Sequence, residues 1–463
     1  MKKLNFFILL ICAAFYGKAQ LTILQSFNGT NGQTPNGSLT LSGKTLFGMT
    51  LGGGANGYGV IFSIDSNGNA YKKLLDFNGT NGRLPYGSLI ISGKTLFGMT
   101  QQGGANGDGV IFSIDSNGNA YKDLLDFNIT NGQFPIGSLT LSGNTLFGMT
   151  YYGGANNDGV IFSIDSNGNA YKKLLDFNGT NGQTPNGSLT ISGKTLFGMT
   201  QQGGANNDGI IFSIDSNGNA YKDLLDFNGT NGKYPWRSLT LSGNTLFGMT
   251  RFGGANDSGV IFSIDSNGNA YKILLDFNGT NGQQPLSSLT LSGNTLYGMT
   301  QQGGANGDGV IFSIDSNGNA YKDLLDFNGT NGKGPIGSLT LSGNTLFGMT
   351  PSGGTNGDGE VFKFDTNIIP LYTNTLISGS GGVNIFPNPN NGMFQLSGQW
   401  SENSQIEIYS MLGQEVYSTL TLPSPNEEGI SINLSSQPAG IYLYRVITEN
   451  GELVGTGKFV IQK

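Results

Sequence analysis

The tripeptide Gly-Met-Thr occurs seven times at a fixed spacing of 50 residues, from Gly48-Met49-Thr50 to Gly348-Met349-Thr350. A period this regular means that one structural unit is built repeatedly, and the unit dictates the fold. In the first copy, four segments rich in Leu, Ile, Val, Phe, Tyr and Thr are separated by Gly/Asn punctuation and read as short strands: Ser38 to Ser42, Thr45 to Thr50, Gly59 to Asp65 and Ala70 to Phe77. Four antiparallel strands in about 50 residues make one propeller blade.

The ends of the array bear on closure. The fourth-strand sequence Tyr71 to Phe77 recurs only six times within the array, and the seventh unit departs from the pattern after Asp365. Its missing strand lies at the other end of the chain, where Leu21 to Phe27 stands 50 residues before Tyr71 to Phe77. An N-terminal strand that completes the last blade joins the two ends in one sheet and leaves no open edge. An open solenoid has no use for that exchange and needs distinct caps. The expected fold is therefore all-β, a seven-bladed propeller closed by its N-terminal strand.

Val60-Ile61-Phe62 and Leu74-Leu75 place apolar groups on both faces of their strands, as a sheet covered by neighbours on both sides requires. The core is expected between blades. Asn67-Gly68 is expected to supply two positive φ angles to the hairpin between strands three and four, with Ser42-Gly43 serving strands one and two.

Residues 1–20 fall outside the repeat. Met1-Lys2-Lys3, an apolar run from Leu4 to Tyr16 and small residues up to Ala19-Gln20 follow the order of a secretory signal peptide, with cleavage near Ala19 or Gln20. The run is too short for an ordinary transmembrane helix. It contains Cys12, the only cysteine, and continues through it, unlike a lipoprotein signal. The mature chain is then free of cysteine and histidine, which excludes disulfides, thiolate metal sites and histidine chemistry. Without Lys2, Lys3 and Lys18, 20 basic side chains face 30 acidic ones, a net charge of −10 that argues against a nucleic-acid partner.

The repeat occupies 21–365, and residues 366–382 end in the linker-like Ser378-Gly-Ser-Gly-Gly382. Residues 383–463 differ in kind. Strands are expected at Val383 to Phe386, Met393 to Leu396, Gln405 to Ser410, Glu415 to Tyr417, Ile430 to Leu434, Ile441 to Thr448 and Lys458 to Ile461, the pattern of a small β-sandwich. Phe386-Pro387-Asn388-Pro389-Asn390-Asn391-Gly392, Ile406 to Val416 with Gly413, Ala439-Gly440-Ile441-Tyr442 and the terminal Gly457-Lys458 to Lys463 resemble the type A C-terminal sorting domain of type IX secretion cargo. That resemblance implies the type IX machinery as partner, passage of the outer membrane, removal of this domain and attachment of the mature protein to surface lipopolysaccharide. The repeats themselves, in Leu46-Phe-Gly-Met-Thr50, Gly53-Gly-Ala-Asn56, Gly59 to Asp65 and Leu74 to Phe77, are similar to the GloVer-type tandem repeats of bacterial surface proteins. This second resemblance implies a propeller-like array on the cell surface and no particular chemistry.

No catalytic residue stands out. The common nucleophile and base arrangements need His or Cys, and no Glu precedes Glu360, so a glycosidase pair would have to be built from Asp. Asp65 and Asp76 recur with nearly every blade, as structural positions do. Asp65-Ser-Asn-Gly-Asn69 offers oxygen ligands at alternate positions, but its Gly is misplaced for an EF-hand loop, and a hairpin turn already explains it. No metal or cofactor is expected.

Differences between copies gather in two loops, at 33–37 and at 51, 52, 57 and 58 with their equivalents, which share one face of an antiparallel blade. Aromatics reach that face at Tyr58, Tyr86, Phe134, Tyr151, Tyr152, Tyr234, Trp236 and Phe252, beside Gln pairs on alternate blades and a partial ring of Asp108, Asp158, Asp208, Asp308 and Asp358. Aromatic faces with amide side chains suit sugars. Blade five is the richest, with Tyr234, Trp236 and Arg237 in one loop and Arg251 and Phe252 in the other, and Tyr151 and Tyr152 of blade three are the next candidates. The expected function is a surface module that binds glycan or another macromolecule. A structural spacer and a polysaccharide hydrolase or lyase are the alternatives.

Overall fold

The computed structural model describes residues 21–366 and, beyond them, 383–398, 400–401, 403–410, 415–419, 422, 430–448 and 453–462. The expected signal segment, most of the expected linker, Gly413 and Lys463 lie outside the described residues. The chain divides into two compact units, Met1–Ile369 and Pro370–Lys463.

The first unit holds seven antiparallel sheets of the same plan. In blade one the strands are Thr40–Ser42, Thr45–Gly52, Val60–Asp65 and Lys72–Asp76. Strands one and four are shorter than their apolar sequences suggest. At the inner end, the amide of Ser38 bonds to Ser88 Oγ of the next blade at 2.8 Å instead of extending its own sheet. At the outer end, Ala70 turns into left-handed backbone (φ 54°), and Leu74 is the extra residue of a bulge between the pairs Lys73↔Phe62 and Leu75↔Ile61. The hairpin between strands three and four corrects the expectation for Asn67-Gly68. Its left-handed residues are Gly68 (φ 90°) and Ala70, because Asp65 Oδ1 accepts the amides of Asn67 and Asn69, both at 2.8 Å, and holds Asn67 in an Asx turn.

Closure by the N-terminal strand is observed directly. Leu21–Ser26 pairs antiparallel with Glu360–Asp365, from Leu21↔Phe364 to Ser26↔Glu360, and completes blade seven. The ring then closes through a belt of serines. Ser38, Ser88, Ser138, Ser188, Ser238 and Ser288 each donate a backbone N–H to the hydroxyl of the serine 50 residues on, and Ser338 donates to Ser38 at 2.8 Å. Seven like bonds that return to their start define a closed ring.

Cores form between blades, as both-sided burial requires. Val60, Phe62 and Ile64 pack with Leu24, Phe27, Phe347, Met349 and Val361 of blade seven, whereas Ile61 of the same strand packs with Leu89, Val110 and Phe112 of blade two. The glycine of Gly-Met-Thr has a reason here. Gly48 lies opposite Phe62 in the ladder, and a Cβ on it would sit 2.5 Å from the Phe62 ring. The threonine closes the strand end, with Thr50 Oγ1 donating to the Gly52 carbonyl at 2.8 Å and accepting the Val60 amide at 3.2 Å.

Blade seven carries a matched exchange. In the other blades the strand-four aspartate caps the loop between strands two and three, as Asp76 Oδ1 does for the Ala55 amide at 2.7 Å. Ser26 occupies that place in blade seven. Glu360, standing where blade one has Val60, accepts Ser26 Oγ at 3.1 Å and the Thr355 amide, so a carboxylate still fills the spot.

The second unit is a sandwich. One sheet joins Asn384–Phe386, Met393–Ser397 and Ile430–Asn433, and the other joins Glu415–Ser418, Gln405–Ser410, Gly440–Ile447 and Leu453–Ile461. Phe394, Leu396, Ile406, Ile408, Tyr442, Val446 and Phe459 form the core between them.

Candidate binding face

The two variable loops meet. The lead-in segment of each blade pairs with the end of strand two, Gln33↔Gly52 in blade one and Lys233↔Phe252 in blade five, with single bridges such as Gln133↔Tyr152 elsewhere. At the centre of each lead-in stands a residue with left-handed backbone: Thr34, Leu84, Phe134, Thr184, Tyr234, Gln284 and Gly334, with φ between 51° and 62°. Only one of the seven is glycine, so the conformation is imposed by the surroundings at a local cost. Its amide supplies the compensation by bonding to the previous blade, Tyr234 N to Asp208 O at 2.8 Å and Gln284 N to Ser258 O at 3.0 Å. Each lead-in is thereby pinned across a blade boundary.

Varied side chains also partner one another across that boundary. Gln133 Nε2 donates to Asp108 Oδ1 at 2.6 Å, Lys333 pairs with Asp308 at 3.0 Å, and Arg83 lies 5.8 Å above the Tyr58 ring where blade one lacks the aspartate. Part of the variation therefore serves the fit between blades.

Blade five concentrates the candidate residues. The Arg251 guanidinium lies between two rings, 5.3 Å from the centroid of Trp236 and 4.8 Å from that of Phe252. Tyr234 meets Phe252 edge-on at 6.4 Å, and Lys233 sits 5.9 Å above the Phe252 ring while paired with Asp257 at 3.0 Å. Arg251 Nε and Nη2 donate to Gln284 Oε1 at 3.3 and 3.2 Å. Desolvation lowers the Arg251 pKa. Trp236, Tyr234, Arg251 and Phe252 all remain partly exposed. In blade three, Tyr151 and Tyr152 meet edge-on at 4.6 Å, Phe134 flanks Tyr152 at 6.4 Å, and the Tyr151 hydroxyl donates to Gln201 Oε1 at 3.0 Å.

Arg237 is placed apart from the rim cluster. Its position in the repeat is the innermost point of the ring, where blades one to four and blade seven have glycine; a Cβ on Gly37 would come within 2.2 Å of the Gly87 carbonyl. Arg237 projects across the central opening, with Nε donating to Leu286 O and Nη2 to Asn36 O of blade one, both at 3.2 Å. Enclosure lowers its pKa to about 10, partly opposed by Tyr86, and leaves it charged at neutrality. Two of its three nitrogens are thus bound to main-chain carbonyls inside the ring. The sequence held no sign of this, because it depends on the glycines of the other blades.

In the second unit the Pro-Asn-Pro-Asn-Asn-Gly block clamps the last strand. Asn388 donates from Nδ2 to Lys458 O (3.2 Å) and accepts the Val460 amide on Oδ1 (2.9 Å). Asn390 N bonds to Val460 O at 2.9 Å, and Asn390 Oδ1 accepts the Gly392 amide at 2.8 Å. Gly392 takes φ 96° with Ser435 Cα 2.6 Å from where a Cβ would be, so only glycine fits there. Pro387 O accepts Asn390 Nδ2 at 3.2 Å, Pro389 is exposed, and Gly440 opens the strand beside Lys458 to Ile461.

The Gloeobacter/Verrucomicrobia repeat model matches residues 14–210 and again 192–398. The chain belongs to that repeat family. The secretion system C-terminal sorting domain model matches residues 384–462, which marks the protein for type IX export to the cell surface or extracellular space. A search of curated proteins finds no match. Among solved structures, TolB from Acinetobacter baumannii is similar at 15% identity (TM-score 0.38) over 57% of this chain, which spans 58% of the length of that protein. A puromycin-hydrolyzing peptidase of Mycobacterium tuberculosis is similar at 12% identity (TM-score 0.50) over 80% of this chain and 60% of its own. PorZ, a surface component of the type IX secretion system of Porphyromonas gingivalis, is similar at 12% identity (TM-score 0.34) over 91% of this chain and 64% of its own. At such identities the likeness concerns the fold alone. No helix among the described residues is long and apolar enough to cross a membrane.

Proposed function

We infer that this exported propeller is a non-enzymatic binding module that recognises glycan on its varied face, with blade five as the principal site and Tyr151 and Tyr152 of blade three as a secondary one. Residues 1–20 act as the signal peptide for the inner membrane, residues 366–382 as a linker and residues 383–463 as the removable sorting domain. One observation carries the binding reading. Blade five gathers Tyr234, Trp236 and Phe252 around a rim arginine, partly exposed, on a scaffold whose other blades lack that set. Aromatic rings pre-ordered by a neighbouring cation present flat apolar faces to sugar C–H groups at low entropic cost, and the free edge of Arg251 supplies hydrogen bonds to oxygen.

A glycan array probed with the exported protein tests the reading. Binding to a defined set of glycans, weakened about thirtyfold by Trp236→Ala, is expected from the loss of about 2 kcal/mol at an aromatic anchor. Asn67→Ala, in a hairpin at the opposite end of the blade, leaves affinity unchanged. Equal losses from both changes move the site elsewhere. The second reading, a structural surface spacer, is favoured by the paired contacts Asp108–Gln133 and Asp308–Lys333, which use varied residues to join blades. An array without any bound glycan favours it.

A further inference from the structure

We propose that the blade-five site selects a glycan that carries a single carboxylate, a uronic-type sugar within an otherwise neutral chain, seated on the free edge of Arg251. The proposal deepens the glycan reading and rests on it. Its first observation is a cation without a counter-ion. The ion pairs on this face are Lys233–Asp257 and Lys333–Asp308, and among the described residues no carboxylate lies within ion-pair distance of Arg251. The protein acceptor of its hydrogen bonds is the neutral Gln284 Oε1. A guanidinium has five N–H donors in a planar fork, and this contact uses Nε–H and one N–H of Nη2. The remaining N–H of Nη2 and the Nη1 group form the end-on pair that fits the two oxygens of a carboxylate.

The second observation is a sequence difference in the same loop. Five blades place an aspartate at the equivalent rim position, Asp108, Asp158, Asp208, Asp308 and Asp358, where it meets the lead-in of the next blade. Blade five has Ser258 there, and the carbonyl of Ser258 receives the amide of Gln284, the residue that holds Arg251. The one blade with arginine at position 251 is thus a blade without the neighbouring carboxylate. A partly desolvated cation left unpaired is costly within the free protein, and a ligand anion removes that cost. Asp257 does not replace it, because Lys233 already neutralises it.

The surroundings limit the ligand to one charge. On the preceding blades Asp158 and Asp208 stand at the rim without an ion pair among the described residues, and residues 21–365 carry 17 basic and 23 acidic side chains, a net charge of −6. A run of phosphates or of consecutive uronates crossing those blades meets repulsion. A single acidic residue between neutral sugars avoids it, with its ring against Tyr234 or Trp236.

The test prints neutral oligosaccharides beside the same chains carrying one uronic acid, with heparin and single-stranded DNA as polyanions, and probes them with the full exported protein. At least tenfold preference for the acidic member of a pair is expected. Arg251→Gln reduces the preference to about twofold or less, the acidic member losing more affinity than the neutral one. Ser258→Asp, which installs the side chain that five other blades already accommodate, has the same effect with the aromatics intact and serves as the variant whose folding is secure. Equal binding of neutral and acidic members overturns the acidic class and leaves the glycan reading standing. Tighter binding to heparin or DNA than to any single-acid chain overturns the single-charge limit. Absence of binding to every printed chain overturns both readings.

Discussion

Phe27→Ala gives the sharpest test of ring closure, because the repeat supplies its own control. Phe27 and Phe127 are both fully buried and both meet a strand-three phenylalanine edge-on, Phe62 at 5.4 Å and Phe162 at 5.3 Å. Phe127 is continuous with its blade, whereas Phe27 reaches its place only through the pairing of the N-terminal strand with Glu360–Asp365. Truncation of a fully buried phenylalanine costs about 3–5 kcal/mol. An unfolding entropy of roughly 2.1 cal/mol/K per residue, applied to a ring of about 350 residues, converts this to a fall in melting temperature of about 4–7 °C. Calorimetry of the two variants should show equal falls, since the side chains lose the same packing. A fall for Phe27→Ala below about a third of that for Phe127→Ala would mean that the N-terminal strand is docked loosely and does not close the ring.

Three further outcomes follow from individual residues. Where blades one and three pair Lys73 with Asp76 and Lys173 with Asp176 at 2.9 Å, blades two, four and six have Asp123, Asp223 and Asp323, whose pKa values are raised by burial and by the neighbouring strand-four aspartate, to about 6 for Asp223 and Asp323. A raised carboxyl pKa means stability that is full below the ordinary value and declines as pH rises through about 6, so the triple change of these aspartates to Lys should raise the melting temperature at pH 7.5, by under ~1 kcal/mol per site for half-exposed groups, and give no gain at pH 3.5. Burial likewise raises the pKa of Glu360, so Glu360→Gln should melt like the wild type near the ordinary glutamate pKa and gain on it as pH rises; a variant that instead falls further behind the wild type as pH rises would show that the charged form is needed to cap Thr355. A chain ending at Ser380 should stop short of the cell surface, as read by surface labelling of intact cells, and normal surface exposure of it would deny residues 383–463 their sorting role.

Much of the ring was legible because its signals are local and repeated. The period of Gly-Met-Thr counted the blades, Val60-Ile61-Phe62 announced burial on both faces, and the unmatched Leu21 to Phe27 revealed the strand exchange. The features that escaped depend on neighbours distant in sequence. Thr34, Leu84 and Tyr234 have no intrinsic preference for left-handed backbone, which is enforced by a bond to the previous blade. Ser38 recurs visibly in the sequence, yet its partner is the copy 50 residues away, so the belt that it forms emerges only on closure. Asn67-Gly68 looked like a two-residue turn of paired positive φ, and the carboxylate of Asp65 selected another. Arg237 reads as a rim residue beside Trp236 until the ring of glycines around it directs it inward. The Ser258–Arg251 relation likewise needs two blades in register.

The claim that blade five binds sugar can be read from one fluorophore. The chain has two tryptophans, Trp236 on the rim and Trp400 in the core of the second unit, so a Trp400→Phe protein reports from the site alone. Titration with a glycan that the protein captures on an array should change Trp236 emission saturably, with the same midpoint as calorimetric binding. Binding by calorimetry with unchanged Trp236 emission would contradict it and place the sugar on another part of the ring.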